Sequence, residues 1–297
     1  MKILMLAPEP FFQPRGTPIS VFFRIKALSN LGHDIDLITY HIGENEKIKN
    51  LKILRIPNLF FINKIKIGPS FAKIPLDFLL ILKAVMQLTQ KQYDMIFSHE
   101  EAALFGVILA KIWRLPHIYD MHSSLPQQLE NFSFSRSKFL KKIFILMEKY
   151  VLKNSNAIIV ICLDLLKKVR TEGFGRKAIL LENFIDFEYP KYSQHEIKKK
   201  RQEYASEEEK IVLYAGNFQP YQGISLLLKA AAKLRNESVV FLLVGENKTA
   251  VERMKKKAKK LNISGKVHFT GQVSPFVMPL FISLSDVLVS PRLSGTN

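Results

Sequence analysis

Short apolar runs alternate with amphipathic segments along most of this 297-residue chain. The first run, residues 3–7 with the sequence ILMLA, precedes a loop with the sequence PEPFFQPRG. Apolar residues then recur at helical spacing, and we predict Thr17 as the N-cap, Pro18 as the first helical residue and Gly32 as the end of this helix. Repeats of strand, loop and helix are typical of a parallel α/β sheet.

The same pattern continues through both halves of the chain. Further strands of the first half are predicted at residues 35–40, 95–98, 117–119, 157–161 and 179–181. After a polar stretch, the second half has predicted strands at 211–215, 239–244, 267–270 and 287–290, with helices at 223–235 and 249–261. We therefore predict an α/β protein with two Rossmann-like, doubly wound domains, the second of them incomplete: residues 1–182, a linker or hinge at 183–209, and residues 210–297.

Three predicted strands of the second half are followed directly by glycine, at Gly216, Gly245 and Gly271. A glycine at the end of a parallel strand lets a phosphate or a base approach the backbone, and the N-terminus of the next helix favours negative charge. The second half therefore has the pattern of a nucleotide-binding sheet.

Composition excludes several classes of protein. Hydrophobic residues make up 47% and charged residues 24%, as in folded globular proteins. The single cysteine, Cys162, excludes a disulfide framework and a cysteine metal cluster, and it fits a reducing compartment. No secretory signal pattern is present, and Asp77 and Lys83 interrupt residues 74–89, the best candidate for a membrane span of ~20 residues. We expect a soluble, cytoplasmic protein.

The net charge of +18 is unusual, because 44 Lys and Arg residues face 26 Asp and Glu residues. Basic residues and phenylalanines concentrate in residues 47–76 and 132–153. This combination suits an anionic membrane surface, which attracts each nearby Lys or Arg by about 1 kcal/mol. A solvated basic face above core phenylalanines is the alternative, and no nucleic-acid-binding motif accompanies the charge. The basic residues expected to contact the membrane are Lys64, Lys66, Arg136, Lys138, Lys141 and Lys142.

Seven motifs together indicate a family. They are PRGTPIS after the first strand, YDMHSSLPQQL at 119–129, ENFID at 182–186, YAGNFQPYQGISLLLKAA at 214–231, LLVGE at 242–246, FTGQV at 269–273 and LSDVLVSPRLSGTN at 284–297. In order and spacing the chain resembles the retaining nucleotide-sugar glycosyltransferases of family 4, which have the two-domain GT-B fold. The resemblance implies a donor held mainly by the second domain and an acceptor held mainly by the first. It implies neither a metal nor a cofactor beyond the nucleotide-sugar co-substrate, because helix N-termini and basic side chains neutralise the leaving diphosphate.

The resemblance also assigns roles to three residues of the first half. Gly16 would lie beside the diphosphate and the transferred sugar, where the lack of a side chain lets backbone N–H groups reach oxygen atoms; a turn glycine is the alternative. His122 follows a strand and would contact the donor sugar or position the acceptor, or else it is a hydrogen-bonded loop histidine. Asp120 would orient His122 or cap the loop.

Two charged residues of the family pattern are missing from the diphosphate site. Gly216 and Gly223 match the family's diphosphate-binding turn, but Asn217 and Gln222 occupy the positions where the family commonly has Arg and Lys. A neutral donor makes a hydrogen bond roughly half as strong as a charged one. We therefore expect either weaker donor binding or compensation by Arg292.

The remaining donor contacts follow from the resemblance as well. Gly245 and Glu246 would lie near the ribose or the base. The backbone of Gly271, Gln272 and Val273 would face the base. A purely structural role is the alternative for these loop positions.

The largest departure from the family pattern is at the end of the sequence. The family continues beyond SPRLSGTN into a helix with two glutamates, separated by seven residues, that touch the donor sugar and the ribose. This sequence stops at Asn297. We therefore expect a truncated chain that is inactive or barely active and only marginally stable.

These observations predict an enzyme that moves a hexosyl group from a nucleotide diphosphate sugar to an acceptor hydroxyl with retention. The acceptor is expected to be a glycan or a lipid-linked molecule of the cell envelope, at the inner face of the membrane. A catalytically silent nucleotide-sugar-binding protein is the alternative, and an epimerase or phosphorylase of the same fold is a third possibility. Nucleic acid is not expected as a partner.

Overall fold

The computed structural model describes residues 1–13, 16–62, 65, 68, 70–131, 137–183 and 190–293. Backbone contacts divide the chain into two compact units, Met1–Asp186 and Phe187–Thr296. Each unit has its own parallel sheet and its own apolar core. The α/β class predicted from the sequence is confirmed.

Within its described part, the first unit has a sheet of seven parallel strands in the order β3-β2-β1-β4-β5-β6-β7. The strands are β1 (Lys2–Ala7), β2 (Asp34–Thr39), β3 (Leu51–Arg55), β4 (Met95–His99), β5 (His117–Met121), β6 (Ala157–Val160) and β7 (Ala178–Leu180). The helices are α1 (Gly16–Asn30), α2 (Lys73–Gln90), α3 (Ala102–Trp113), α4 (Leu125–Asn131), α5 (Lys138–Asn154) and α6 (Leu163–Thr171).

Strand β1 shows that helices cover both faces of this sheet. Ile3, Leu4, Met5 and Leu6 are all buried, although alternate side chains of a strand point to opposite faces. Leu4 and Leu6 join the core beneath α2 and α3, whereas Ile3 and Met5 join the core beneath α1. An uninterrupted apolar run is what a parallel strand covered on both faces requires.

The predicted start of α1 is wrong and its predicted end is confirmed. The helix begins at Gly16 without a Thr17 N-cap, and Pro18 is its third residue, in the first turn, where a missing N–H breaks no helical hydrogen bond. The chain turns at Gly32 with φ +81°, and the Gly32 N–H donates to the Ser29 carbonyl at 2.9 Å. The left-handed conformation at this place is one that glycine adopts without strain.

Edge strand β3 lies within residues 47–76, where the sequence predicts only a basic surface. It pairs with β2 along its whole length. Arg55 donates hydrogen bonds to the backbone carbonyls of Tyr40, Ile42 and Glu44, at 3.1, 3.0 and 2.7 Å. This basic residue therefore stabilises the fold, and the strand escaped prediction because Lys52 and Arg55 interrupt its apolar pattern.

Within residues 190–293, the second unit has four parallel strands in the order β10-β9-β8-β11. The strands are β8 (Lys210–Ala215), β9 (Val239–Val244), β10 (Val267–Gly271) and β11 (Val287–Leu288). The helices are α7 (Gln194–Arg201), α8 (Ile224–Lys233), α9 (Lys248–Lys260) and α10 (Met278–Ser283). All four predicted strands are confirmed, although β11 covers two residues where the sequence predicts four.

The described part of the predicted linker, 183–209, includes a helix that packs into the second unit. Helix α7 begins with a capping box, in which Ser193 Oγ accepts from the Glu196 N–H and the Glu196 carboxylate accepts from the Ser193 N–H. Ile197 packs against the core, and Arg201 donates to the Leu284 carbonyl at 2.6 Å. The action of this segment as a hinge stays a prediction.

Each sheet has one place where the strand order reverses. In the first sheet this switch point lies between β1 and β4, and in the second it lies between β8 and β11. In open parallel sheets, ligands bind outside the carboxyl ends of the strands at such a switch point. The candidate site residues are therefore those that follow these four strands and their neighbours.

Candidate functional site

Backbone groups form the carboxyl edge of the second sheet. The Gly216 N–H donates to the Val244 carbonyl at 2.9 Å, and the Gly245 N–H donates to the Gly271 carbonyl at 2.8 Å. A Cβ atom on Gly245 would lie 2.2 Å from the Gly216 carbonyl oxygen, and φ of Gly245 is +125°. Glycine is therefore required at 245 by the close approach of two backbone segments, which is a structural role in its own right.

Gly223 and Arg292 meet at the β8–β11 switch point. Gly223 precedes α8 with φ +72°, and a Cβ atom there would lie 1.9 Å from the Pro291 carbonyl oxygen. The Nε of Arg292 donates to Oε1 of the buried Gln222 at 3.3 Å, and its guanidinium lies 5.9 Å from the ring centre of Tyr221. The structure thus brings the cation proposed as compensation next to one of the two amides.

Asn217 and Glu246 hold the loop that follows β8. Asn217 Oδ1 accepts from the Gln219 N–H at 3.1 Å, and Glu246 Oε2 accepts from the Phe218 N–H at 3.1 Å. Glu246 has φ +71°, which is uncommon for a residue with a side chain, and its Oε1 accepts from the side-chain amide of Asn247 at 2.6 Å. Both residues shape the loop, and their contacts with the diphosphate and the ribose stay predictions.

Gly271 and Val273 lie at the β10 end of the same edge. Gly271 ends the strand with φ +74°, and Val273 is half-buried against the core that contains Phe281. Contact of their backbone with a base stays a prediction.

Gly16, at the start of α1, has no structural reason to be glycine among the described residues. A Cβ atom built on it meets no atom within 4 Å, and its φ lies outside the left-handed region. Neither a turn nor close packing therefore requires glycine here. The approach of a ligand to Gly16 stays a prediction.

Asp120 and His122 form a buried pair at the carboxyl edge of the first sheet. The His122 Nε2 lies 3.5 Å from Asp120 Oδ1, and their side chains are 5% and 0% exposed. Arg24 of α1 donates from Nε to Asp120 Oδ2 at 3.0 Å, and His99 Nδ1 lies 3.6 Å from the same oxygen. Of the two roles considered for Asp120, the geometry corresponds to orientation of His122. Participation of either residue in transfer stays a prediction.

The charges of this cluster depend on one another. Burial raises the pKa of Asp120, but attraction to His122 and, more weakly, to Arg24 outweighs burial and leaves this pKa below its ordinary value. Burial lowers the pKa of His122, but attraction to Asp120 outweighs burial and leaves it raised. Burial lowers the pKa of His99 to about 3. His122 is therefore the histidine of this cluster that holds a proton more readily near neutral pH.

His99, Asp120 and His122 also have ligand atoms within 4.8 Å of one another, a spacing that a metal ion accepts. The Arg24 guanidinium and a protonated His122 already compensate the charge of Asp120. A bound cation would have to displace the first and deprotonate the second. The described residues therefore fit an ion-paired histidine better than a metal centre.

Acidic residues that sequence reasoning missed lie on both sides of the β1–β4 switch point. Glu9 follows β1, and Glu100 and Glu101 follow β4. Glu9 is only 7% exposed, and no described residue donates a hydrogen bond to either of its carboxylate oxygens. Burial raises the pKa of Glu9 to about 8, with attraction to His122 offsetting part of the effect. The sequence carried a signal, since two glutamates directly follow a strand that ends in His99.

The other two acidic residues have partners. Glu100 Oε2 accepts from Ser123 Oγ at 2.9 Å and from Gln128 Nε2 at 2.8 Å. Lys73, at the start of α2, donates from Nζ to Glu101 Oε1 at 2.6 Å. Glu100 has φ +45°, a left-handed conformation that is strained for a residue with a side chain. Strain of this kind often accompanies functional sites.

Helix α2 has an exposed apolar stripe on the side away from the core. Ile74, Phe78, Leu82 and Met86 recur every four residues and are all exposed, and we call them the α2 stripe. Leu76, Leu80, Ala84 and Leu88 form the buried face of the same helix. The sequence hid this division, because apolar residues occupy both faces.

The basic residues predicted to contact a membrane lie partly within the described chain. Lys138, Lys141 and Lys142 are exposed on α5, next to the exposed Phe139. Lys64, Lys66 and Arg136 lie outside the described residues. Among the helices of the described residues, none is long and apolar enough to cross a membrane.

Solved structures with a similar fold define the class of protein. HepE of Anabaena, in complex with UDP and glucose, matches with a TM-score of 0.71 over 97% of this chain and 73% of its own, at 19% identity. Sucrose-phosphate synthase of Thermosynechococcus elongatus matches with a TM-score of 0.76 over 98% of this chain and 75% of its own, at 18% identity. The fold is that of the GT-B glycosyltransferases, and the predicted fold is confirmed.

Family models identify the family within this class. The model described as "Glycosyltransferase Family 4" matches residues 15–189, and the model "Glycosyl transferases group 1" matches residues 196–295. The chain belongs to glycosyltransferase family 4, as its motifs predict. An alpha-monoglucosyldiacylglycerol synthase of Streptococcus pneumoniae (strain ATCC BAA-255 / R6) is 24% identical over 100% of this chain and 67% of its own length.

Proposed function

We propose that this protein transfers a hexosyl group from a nucleotide diphosphate sugar to an acceptor hydroxyl with retention of configuration. The observation that carries the proposal is the donor side of the second unit. Helix α8 begins directly after Gly223, so its first N–H groups have no partner within the helix, and the switch point brings Arg292 to Gln222. The N–H groups of a helix N-terminus and one guanidinium are the donors that a diphosphate requires.

The first unit supplies the polar groups for the sugar and the acceptor in this proposal. A protonated His122, oriented by Asp120, donates a hydrogen bond to a sugar hydroxyl or to the departing oxygen. Gly16 leaves room for the diphosphate at the start of α1. Stabilisation of the leaving group and of an oxocarbenium-like transition state then carries the reaction, without a protein nucleophile.

The test of the donor site is the affinity for UDP and UDP-glucose, measured by titration calorimetry on the wild type and on Arg292→Ala. We expect at least a tenfold loss of affinity in this variant, because the remaining donors at the switch point are neutral amides. Arg253→Ala, which removes an exposed arginine of α9, is the control and retains wild-type affinity. Equal affinity in all three proteins would contradict the assignment of Arg292.

Transfer itself is tested with a radiolabelled nucleotide sugar and a panel of lipid and glycan acceptors. The anomeric configuration of the product, determined by NMR, tests retention. A catalytically silent nucleotide-sugar-binding protein is the second candidate, because Asn217 and Gln222 carry no charge. Tight donor binding without transfer to any acceptor, in a protein of the family's complete length, would favour that candidate.

We also propose that the acceptor is a lipid and that the protein binds the anionic inner face of the cell membrane. The streptococcal relative is named as a synthase of a glycolipid. The α2 stripe offers apolar side chains for the acyl region, and a net charge of +18 favours an anionic surface. Exposed apolar residues on α2 and exposed lysines on α5 match the two parts of such a contact.

Co-sedimentation with vesicles of phosphatidylglycerol and phosphatidylcholine tests this surface. We expect Phe78→Asp to lower the bound fraction at least fivefold at low salt, because it places a carboxylate in the middle of the stripe. Leu226→Asp, at an exposed apolar position of α8 in the second unit, is the matched control and leaves binding unchanged. A wild type that does not bind anionic vesicles would rule out the membrane proposal.

A further inference from the structure

We propose that Glu9 and Glu100 form the acceptor subsite and that this subsite takes an uncharged, hydroxyl-bearing end group, glycerol or a sugar, rather than a phosphate or a carboxylate. The inference rests on the proposed glycosyltransfer and names the substrate class for its acceptor side. It concerns only residues of the first unit.

The position of the two glutamates is the first support. They follow β1 and β4, the two strands that flank the switch point of the first sheet. His122 follows β5, the next strand along, and interacts electrostatically with both carboxyl groups. These three side chains therefore share the edge where open parallel sheets bind ligands.

The lack of a partner for Glu9 is the second support. Its backbone is held firmly, since its carbonyl accepts from Thr39 Oγ1 at 2.6 Å and from the Tyr40 N–H at 3.2 Å. Its carboxyl group is nonetheless buried without a hydrogen-bond donor among the described residues. Leaving a buried polar group unpaired costs about 1–3 kcal/mol. A hydroxyl group of the acceptor would supply the missing hydrogen bond. Binding of the acceptor to Glu9 would therefore offset the free-energy cost of the unpaired carboxyl group.

Glu100 is arranged to receive the same ligand. Ser123 and Gln128 both donate to its Oε2, which fixes the carboxylate and leaves Oε1 out of these two hydrogen bonds. The residue keeps this place despite a left-handed backbone conformation. A carboxylate held rigidly in this way is a suitable acceptor for one or two hydroxyl groups of a polyol.

The balance of charge selects against an anionic end group. Within the part of the chain that the structure describes, the cations at this edge have carboxylate partners, since Lys73 pairs with Glu101 while Arg24 and His122 pair with Asp120. Two like charges 4 Å apart repel by about 1–4 kcal/mol near a protein surface. A phosphate beside the Glu100 carboxylate would meet this repulsion, whereas a neutral hydroxyl would not. Glu9 has a different part, because its raised pKa favours a protonated carboxyl group, which both donates to and accepts from a hydroxyl.

The first turns of α2 connect this subsite with the α2 stripe. Lys73 and Asp77 face the site, where Lys73 pairs with Glu101 and Asp77 accepts from the Tyr40 hydroxyl. Ile74 and Phe78 lie next to them in sequence and belong to the exposed stripe. One end of a single helix thus contributes to both surfaces, as a lipid with a neutral head group requires.

The test compares three lipids in vesicles of phosphatidylserine and phosphatidylcholine, whose own head groups carry no hydroxyl: diacylglycerol, glucosyl-diacylglycerol and phosphatidic acid. Two readouts are used, transfer from a labelled nucleotide sugar and the gain in co-sedimentation that each added lipid produces. We expect transfer and a gain with one or both neutral lipids, and neither with phosphatidic acid. The two neutral arms separate a glycerol hydroxyl from a sugar hydroxyl. A response to phosphatidic acid equal to or above the neutral lipids would overturn the proposal.

Variants of Glu9 separate a binding role from a structural one. Glu9→Leu should lower transfer at subsaturating acceptor, and the co-sedimentation gain, at least tenfold, while its melting temperature rises by about 2 °C or more because an unpaired buried polar group is removed. Glu9→Gln, which mimics the protonated carboxyl group, should stay within about threefold of the wild type at pH 7. Glu237→Leu, at an exposed glutamate of the second unit, is the control.

Calorimetry with UDP distinguishes this proposal from the proposed function. Glu9→Leu should bind UDP like the wild type, because this proposal places Glu9 on the acceptor and not among the donor contacts. A wild type that does not bind UDP would contradict the proposed glycosyltransfer itself. If Glu9→Leu keeps the gain in co-sedimentation from neutral lipids, the acceptor subsite is contradicted and the proposed donor site is not affected.

Discussion

The carboxyl edges of the two sheets share a topology and differ in the residues that follow the strands. In the first unit, β1, β4 and β5 are followed by the ionisable residues Glu9, Glu100 and His122. Glu9 and the His122 side chain are buried, and Glu100 is half-buried. In the second unit, the corresponding edge consists of glycines and of backbone N–H and carbonyl groups. In the proposed function the first edge takes hydroxyl groups and the second takes a diphosphate, so a few loop residues would adapt one scaffold to two chemistries.

The two edges also carry their energetic cost in different forms. The first edge holds buried charges that need partners, and its stability depends on pH. The second edge brings backbone segments so close that side chains are excluded at defined positions. Changes that exploit this difference test the comparison directly.

Neutralising Asp120 should produce the largest effect at pH 7. Asp120→Asn leaves the Arg24 guanidinium and His122 without their buried counter-charge, so we expect the free energy of unfolding at pH 7 to fall by about 3–5 kcal/mol. The wild-type contribution is present above the ordinary pKa of aspartate, about 3.9, and is lost as the pH falls through the lower value of the folded state. The difference between the two proteins in urea unfolding should therefore shrink in acid. A constant difference from pH 7 to pH 3 would contradict the ion-paired cluster.

A side chain at Gly245 should also produce a large effect, and only in the second unit. Gly245→Ala combines a positive φ with a Cβ atom only 2.2 Å from the Gly216 carbonyl oxygen, so we expect a loss of about 2–4 kcal/mol in the free energy of unfolding and weaker UDP binding. Gly265→Ala is the matched control, because a Cβ atom there meets nothing within 4 Å. Thermal unfolding of both variants is the measurement. Equal melting temperatures would show that the Gly216 carbonyl leaves room for a side chain at position 245.

The pH dependence of Glu9 should be of opposite sign to that of Asp120. Because its folded-state pKa of about 8 lies above the ordinary value of 4.5, Glu9 contributes stability that is complete below about pH 4.5 and is lost as the pH rises through 8. Glu9→Gln removes this loss and should be more stable than the wild type by on the order of 4–5 kcal/mol at pH 9, since each unit of pKa shift corresponds to about 1.4 kcal/mol. Unfolding curves at pH 5, 7 and 9 measure it. Parallel stability profiles for the two proteins would mean that Glu9 is solvated.

Gly16→Ala should have the smallest effect on stability and a clear effect on function. The added methyl group meets no described atom within 4 Å, and alanine is a better helix former than glycine, so the melting temperature should stay the same or rise slightly. The affinity for UDP-glucose should nevertheless fall at least tenfold if the diphosphate passes close to this backbone. An unchanged affinity for UDP-glucose would mean that glycine at position 16 is needed neither for donor binding nor for stability.

The two edges differ in how far the sequence foretold them. The glycine edge follows from strand prediction, since Gly216, Gly245 and Gly271 directly follow or end apolar runs. Of the acidic edge, sequence reasoning found only Asp120 and His122, through the family motif. Glu9 was missed because a glutamate between two prolines in a loop has the pattern of a solvated residue, and only packing made it buried.

Two surface features show the same limit. Strand β3 was missed because Lys52 and Arg55 obscure its apolar pattern, while Arg55 finds its partners in backbone carbonyls of another loop. The α2 stripe was missed because a helix that is apolar on most of its circumference has no clear polar side. In both cases the deciding contacts lie far away along the chain.

Local pattern was sufficient for the class of fold, for the family and for most of the strands, β3 being the exception. These depend on periodic burial and on residues close together in sequence, which each segment carries within itself. Tertiary structure alone decided that Arg292 meets Gln222 and that Arg24 and His122 share Asp120. It also decided that Glu9 is left without a donor. Those arrangements depend on which strands become neighbours, because chain topology brings residues up to about a hundred positions apart to a single sheet edge.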